Sequence, residues 1–255
     1  MPTIRARIRH QIRPALTLWA LLKKASHRSR VLDAPPGLSL AAFASDVRAR
    51  GRSGHNVSPD WASFRDKNLV FSTDWFSMRS ATWISVLGRV QDFQSPLRVL
   101  EIGSWEGLSA SFLLYLFPSA RITCVDTWEG SDEHGGRFNV RQVEDNFDSN
   151  LAKFPDQFEK MKQTSRDYFH ALTNQSFDLI YIDGSHHFID VLADAFAAHE
   201  VLASKGIIVF DDYEWSNYEN PRDDPARAIN IFFRQFGSHY HVLEVGYQVF
   251  LQKRR

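Results

Sequence analysis

The chain has 255 residues, 44% hydrophobic and 24% charged, a globular composition with room for one sizeable core, which excludes disordered, collagen-like and low-complexity classes. Its formal net charge of zero hides an asymmetry: residues 1–32 carry eight basic side chains and no acid, so the rest has an acidic excess of eight and no nucleic-acid partner is expected. The single cysteine, Cys124, cannot close an internal disulfide, so a reducing, cytoplasmic setting is the expectation.

Ile4, Ile8 and Ile12 recur at i, i+4 with Arg5, Arg9 and Arg13 alongside, which predicts a basic amphipathic helix. Pro14 starts a second short helix ending at Lys24, and its apolar stretch is far short of the ~20 residues needed to span a bilayer. Residues 1–37 therefore read as a helical extension closed by a linker, Asp33 to Gly37. Its apolar stripe suits peripheral contact with a membrane surface, packing on its own domain, or a homo-oligomer contact, and its acid-free, Arg-rich start also has the composition of a mitochondrial presequence.

Residues 38–96 read as a helical cap, with a loop at Gly51 to Pro59 and a helix from Trp75 to about Phe93 that presents Trp83, Leu87 and Val90 on one face. From Leu97 to the end, short β-branched runs alternate with helices. Strands are predicted at Arg98–Ile102, Arg121–Asp126, Phe158–Thr164, Phe177–Asp183, Gly206–Phe210, His239–Val245 and Tyr247–Gln252. Helices are predicted at Gly107–Phe117, Val140–Phe154, Ile189–Ala203 and Pro225–Phe236. The alternation implies an α/β fold with a seven-stranded, mostly parallel sheet, helices on both faces and ligands at the carboxyl ends of the strands. The last two strands form a hairpin at Gly246, which makes one strand antiparallel.

The first strand runs into Glu101-Ile-Gly103-Ser104-Trp105-Glu-Gly107-Leu-Ser109, a glycine turn opening a helix whose N-terminal N–H groups suit an anion. Its Gly-x-x-x-Gly spacing departs from the dinucleotide fingerprint and from the phosphate loop with its lysine. Asp126 ends the second strand, where a carboxylate can accept both hydroxyls of a ribose. Asp183 ends the fourth strand and Asp211 and Asp212 the fifth, so a parallel sheet brings the three acids to one edge. Their repulsion would be offset by a hard divalent cation such as Mg²⁺. His186, three residues past Asp183, is a candidate general base. The loop that follows offers Tyr213, Trp215 and Tyr218 as substrate contacts.

The strings VLEIGSWEGLSA, ITCVDTWEGSDEH, FDLIYIDGSH and GIIVFDDYEW, with GYQVF near the end, resemble the class I S-adenosylmethionine-dependent methyltransferases. Among these the resemblance is to the metal-assisted group that includes the catechol and the macrolide and aminocoumarin sugar O-methyltransferases. It implies a Rossmann-like core over 97–255, with S-adenosylmethionine and Mg²⁺ as cofactors. Glu101, Gly103, Ser104, Trp105 and Gly107 would face the methionine part, Ser109 its carboxylate, and Asp126 the ribose. Thr127, Trp128 and Ser165 would border the adenine, with Trp128 ahead of Trp105 as a contact. Asp183, beside the cofactor cleft, would hold the metal with Asp211 and Asp212, and His186 would serve catalysis with Asp183. The implied acceptor is a hydroxyl of a sugar, glycan or other vicinal diol. Two alternatives stand beside this: a metal-independent N- or O-methyltransferase, and a non-catalytic cofactor-binding module tethered through the basic N-terminus.

Overall fold

The computed structural model of the chain describes residues 33–51, 68–131 and 136–255. The two helices expected before Asp33, most of the loop at Gly51 to Pro59, and His134 lie outside the described residues.

Strands β1 (Arg98–Ile102), β2 (Arg121–Asp126), β3 (Phe158–Lys162), β4 (Phe177–Ile182), β5 (Leu202–Phe210), β6 (Tyr240–Val245) and β7 (Val249–Lys253) form one sheet in the order β3-β2-β1-β4-β5-β7-β6. The first five are parallel, and β7 runs antiparallel to both β5 and β6. The helices are α1 (Pro36–Gly51), α2 (Ser80–Leu87), α3 (Leu108–Leu116), α4 (Val140–Leu151), α5 (Ser165–Ala171), α6 (Phe188–Val201) and α7 (Pro225–Phe236). This is the Rossmann-like, seven-stranded architecture the alternating pattern predicts.

Side chains of successive strand residues point to opposite faces, and both faces are apolar. Val99, Leu179, Tyr181, Ile207 and Val209 pack under α2, α3 and α4, while Leu100, Ile102, Ile180, Ile182, Ile208 and Phe210 pack under α1, α6 and α7. The cap is built into this scheme: Leu38 and Ala42 of α1 join one core, and Trp83, Val86 and Leu87 of α2 join the other.

Four expectations shift. The helix from Trp75 to Phe93 shrinks to a 3-10 turn, Ser77–Arg79, plus α2, because the chain turns at Gly88 to bring Phe93 onto Phe117, with ring centroids 5.3 Å apart. Pro36 and Gly37 belong to the first turn of α1, where proline's missing N–H costs nothing. Strand β5 begins at Leu202, four residues early. A seven-residue helix, α5, follows β3, with the Thr164 side chain accepting the Asp167 N–H at 3.1 Å.

After β1 the chain crosses to β2 on one side, while β4 lies on the other, so the connections diverge between β1 and β4. That divergence leaves a crevice at their carboxyl ends. Gly103 follows β1 and Asp183 follows β4, which puts both at the mouth of the crevice.

Candidate active site

The glycine turn is pinned from beneath. Asp126 accepts three backbone N–H groups, from Ser104 (2.9 Å), Trp105 (2.8 Å) and Trp128 (2.8 Å). A carboxylate has about four lone-pair sites, so its first task is holding the loop, and a ribose would meet only what remains. Removing Asp126 would unpin the turn whatever it contacts. The glycines answer to the chain itself: a Cβ on Gly103 would lie 2.1 Å from the Asp183 carbonyl oxygen, and one on Gly107 would lie 2.3 Å from Leu151.

Glu101 is fully buried, and its Oε1 accepts the Ser109 hydroxyl at 2.6 Å. Ser109, expected to hold the cofactor's carboxylate, has its hydroxyl on Glu101. Glu101 Oε2 is buried without a hydrogen bond, and burial pushes the carboxyl up to about 7. An orphaned acceptor here fits a ligand carrying an ammonium or hydroxyl donor.

A group whose folded pKa is raised contributes stability at low pH that is lost as pH rises through the folded value. From the ordinary 4.5 to about 7, the loss is roughly 3 kcal/mol. Glu101→Gln, compared with wild type in denaturant titrations from pH 5 to 8, is expected to flatten that part of the decline. Parallel curves for the two proteins would contradict the assignment.

The two tryptophans are placed differently. Trp128 is 3% exposed, packs its ring against Phe147 at a tilt with centroids 4.7 Å apart, and donates its indole N–H to the Trp105 carbonyl at 2.8 Å, so it is buried away from an adenine. Trp105 is half-buried, in a left-handed conformation, against Trp75 and Phe138. Thr127 is half-buried beside Asp126. Ser165 is engaged with the buried Asp194 carboxyl, tying α5 to α6. Sequence reasoning passed over Glu106, which is buried at the turn. It accepts the Ser72 N–H and the Asn146 amide, each at 2.7 Å, and so fastens the segment before α2 and α4 to the loop.

At the other side of the crevice the three acids meet as expected, but each is engaged by protein. The Tyr181 hydroxyl lies between Asp183 Oδ2, at 2.9 Å, and Asp211 Oδ2. Gln248 donates to Asp211 at 2.7 Å and accepts the Trp83 indole N–H at 2.9 Å. Burial, then Asp211 and Asp212, hold the Asp183 carboxyl well above the carboxylate range. Burial and Asp212 push Asp211 up to about 6. One phenolic proton cannot serve two carboxylates, so a protonated Asp183 completes the chain through Tyr181 to Asp211. Sequence reasoning passed over Tyr181 and Gln248: Asp211 lies 30 and 37 positions from them, and Trp83 lies 165 from Gln248.

Asp212 is held differently. Its Oδ2 lies 2.8 Å from His186 Nε2, and the His186 ring stacks on Trp215 with centroids 4.6 Å apart and planes at 9°. His187 stacks likewise on Tyr218 at 4.5 Å, and Trp215 meets Tyr218 edge-on. The N-cap of α6 is His187, which makes no side-chain capping bond. A carboxylate on one ring nitrogen orients the imidazole and stabilises its protonated form, which is what a general base requires.

The acids do not fit a divalent cation as they stand. Among the described residues, no three His, Cys, Asp or Glu side chains form a group that could hold a metal ion, and Tyr181, Gln248 and His186 engage oxygens of the acids. Tyr213 is also corrected: it is fully buried and donates its hydroxyl to Asn230 at 2.9 Å, which makes it a core residue and leaves Trp215 and Tyr218 as the half-buried aromatics of the loop. Tyr213→Phe is expected to cost about 1–2 kcal/mol, since Asn230 loses a donor, with kcat and KM unchanged. A large kinetic effect with an unchanged melting temperature would return Tyr213 to the site.

Residues 100–213 match a family model described as a methyltransferase domain. No curated protein matches the chain. Among solved structures, the chain is similar to the O-methyltransferase NovP, at 13% identity and a TM-score of 0.54 over 69% of this chain and 80% of that one. It is similar to the methyltransferase PaMTH1 of Podospora anserina, bound to S-adenosylhomocysteine, at 17% identity and 0.53 over 83% and 95%. It is also similar to the O-methyltransferase TomG of Streptomyces achromogenes, in complex with S-adenosylmethionine, at 17% and 0.50 over 90% and 95%.

Proposed function

We propose that this chain, whose residues 100–213 match a methyltransferase-domain model, transfers a methyl group from S-adenosylmethionine to a hydroxyl oxygen of a sugar or other polyol, with His186 as the base. The observation that carries this reading is the His186–Asp212 pair at the carboxyl edge of the sheet, stacked on Trp215. When bound, the cofactor supplies an electrophilic methyl on a sulfonium, and the sulfur keeps the electron pair as the acceptor oxygen bonds to carbon. His186 takes the hydroxyl proton, and Asp212 supports the resulting imidazolium. Trp215 and Tyr218 offer aromatic walls suited to the C–H faces of a sugar ring. Asp126, Glu101 and Glu106 hold the glycine turn that would receive the cofactor, with Glu101 Oε2 open to a donor.

No step here runs through a metal. The sequence-derived expectation of Mg²⁺ assistance is decided in the same assays. Activity lost in EDTA and restored by Mg²⁺ would mean that Asp211 leaves Tyr181 and Gln248 for the cation, while activity indifferent to EDTA would leave the acids as a hydrogen-bonded set.

The test is calorimetric titration of S-adenosylhomocysteine, followed by methyl transfer to a panel of sugars, polyols, phenols and amines. Submillimolar binding and transfer to hydroxyls are expected. Absent binding would sink the proposal, and transfer confined to amines would replace its acceptor class. No helix among the described residues is long and apolar enough to cross a membrane.

A further inference from the structure

Beside Tyr218 lies a cavity of about 340 Å³, between Tyr218, Arg222 and Asp224 of the loop after β5 and Arg227 and Asn230 of α7. That volume falls in the range of small-molecule sites, roughly 300–1,000 Å³. The Asp33–Arg234 ion pair, 2.7 Å, borders it. Tyr218 is the shared wall: it lines the cavity, stacks on His187 and touches Trp215, whose ring covers His186.

Two features of the lining can answer a ligand. Asp224 is 4% exposed and stands at the N-cap of α7, yet it makes no capping bond. Its carboxylate accepts the Tyr218 N–H, but Oδ1 is buried with no hydrogen-bond partner. An orphaned buried acceptor costs about 1–3 kcal/mol, and such a group points to a ligand that donates. The second feature is a pair of guanidinium groups at one rim. Arg227 lies over the Phe188 ring and donates to the Arg222 carbonyl at 3.1 Å, while Arg222 is exposed and forms no ion pair among the described residues. Planar guanidinium groups match phosphate oxygens.

A bare anion meets the charge of Asp224, and a bare polyol leaves the arginines unanswered. A ligand carrying both a hydrogen-bond donor and an anion satisfies the whole lining. We propose that this cavity binds the phosphorylated end of the methyl acceptor, a sugar or related polyol phosphate, with a hydroxyl donating to Asp224 Oδ1 and phosphate oxygens accepting from Arg222 and Arg227. The word acceptor rests on the methyl-transfer reading, whereas the binding does not.

The test is calorimetry on the full chain with glucose 1-phosphate, glucose and inorganic phosphate as separate probes, with S-adenosylhomocysteine affinity measured in parallel. Glucose 1-phosphate is expected to bind at least about tenfold more tightly than either other probe, and Arg222→Ala and Arg227→Ala should each weaken it about tenfold. Asp224→Asn should weaken it comparably, because its one carbonyl oxygen is taken by the Tyr218 N–H and an NH2 group then faces the hydroxyl donor, and all three variants should keep the wild-type affinity for S-adenosylhomocysteine. Equal binding of glucose and glucose 1-phosphate, or wild-type affinity in both arginine variants, overturns the proposal. So does inorganic phosphate binding as tightly as the sugar phosphate. Both arginines are exposed, so their variants decide the matter even if Asp224→Asn fails to fold. Loss of S-adenosylhomocysteine binding by the wild type would instead strike the methyl-transfer reading alone.

Discussion

His186→Ala is expected to lower kcat by about 10²–10⁴-fold, the usual contribution of a positioned general base, while the affinity for S-adenosylhomocysteine stays at the wild-type value. The separation follows from position. His186 is anchored by Asp212 and Trp215 on the β4–β5 side of the crevice, whereas the cofactor turn is pinned by Asp126 on the β1–β2 side. Asp212→Asn should produce a smaller loss, because the amide still meets the ring but no longer supports its positive charge. If the pair acts as proposed, the acidic limb of the kcat profile belongs to the imidazole and disappears in His186→Ala. A His186→Ala enzyme of wild-type kcat would remove the base from the mechanism, and a loss seen only in KM would make His186 a binding residue.

The largest effect on stability is expected at Gly103. Its φ is +85°, a region that side-chain-bearing residues rarely adopt, and an added Cβ would sit 2.1 Å from the Asp183 carbonyl oxygen and 2.6 Å from Gly184 Cα. Both obstacles are backbone at the closest approach of the β1 and β4 ends, so no side chain can swing away. Gly103→Ala should therefore cost at least about 3 kcal/mol, from left-handed strain plus overpacking. Gly136 provides the control, with φ of +69° and nothing within 4 Å of an added Cβ. Gly136→Ala should show the strain alone, about 1 kcal/mol. Comparable unfolding free energies for the two variants would mean that the β1 and β4 ends part easily.

Much of this arrangement is local enough to be read along the chain. Strands β1 and β2 and helix α7 have the boundaries that pattern and punctuation predict, since Pro225 opens α7 and Gly237 follows its last residue. The acids at the ends of β4 and β5 meet because parallel pairing aligns strand ends, a consequence of topology that alternating strands and helices already imply. What spacing could not show is which group each side chain faces. Trp128 is buried against Phe147, whereas Trp105 is left half-buried at the turn. Ser109 looked available until Glu101 proved to be its partner.

Composition, hydrophobic period and strand-end acids thus determined the fold class, the crevice and the residues around it, because these depend on backbone periodicity and on the order of elements. The tertiary structure alone decided how the polar groups are spent. Gln248 reaches Trp83 across 165 positions and Asp211 across 37, and the Asp126 carboxylate closes on a loop more than twenty residues earlier. Buried donors and acceptors must find partners wherever the fold brings them. That requirement turns Asp126 into an anchor and Tyr213 into core, and it leaves Asp224 with an oxygen unanswered.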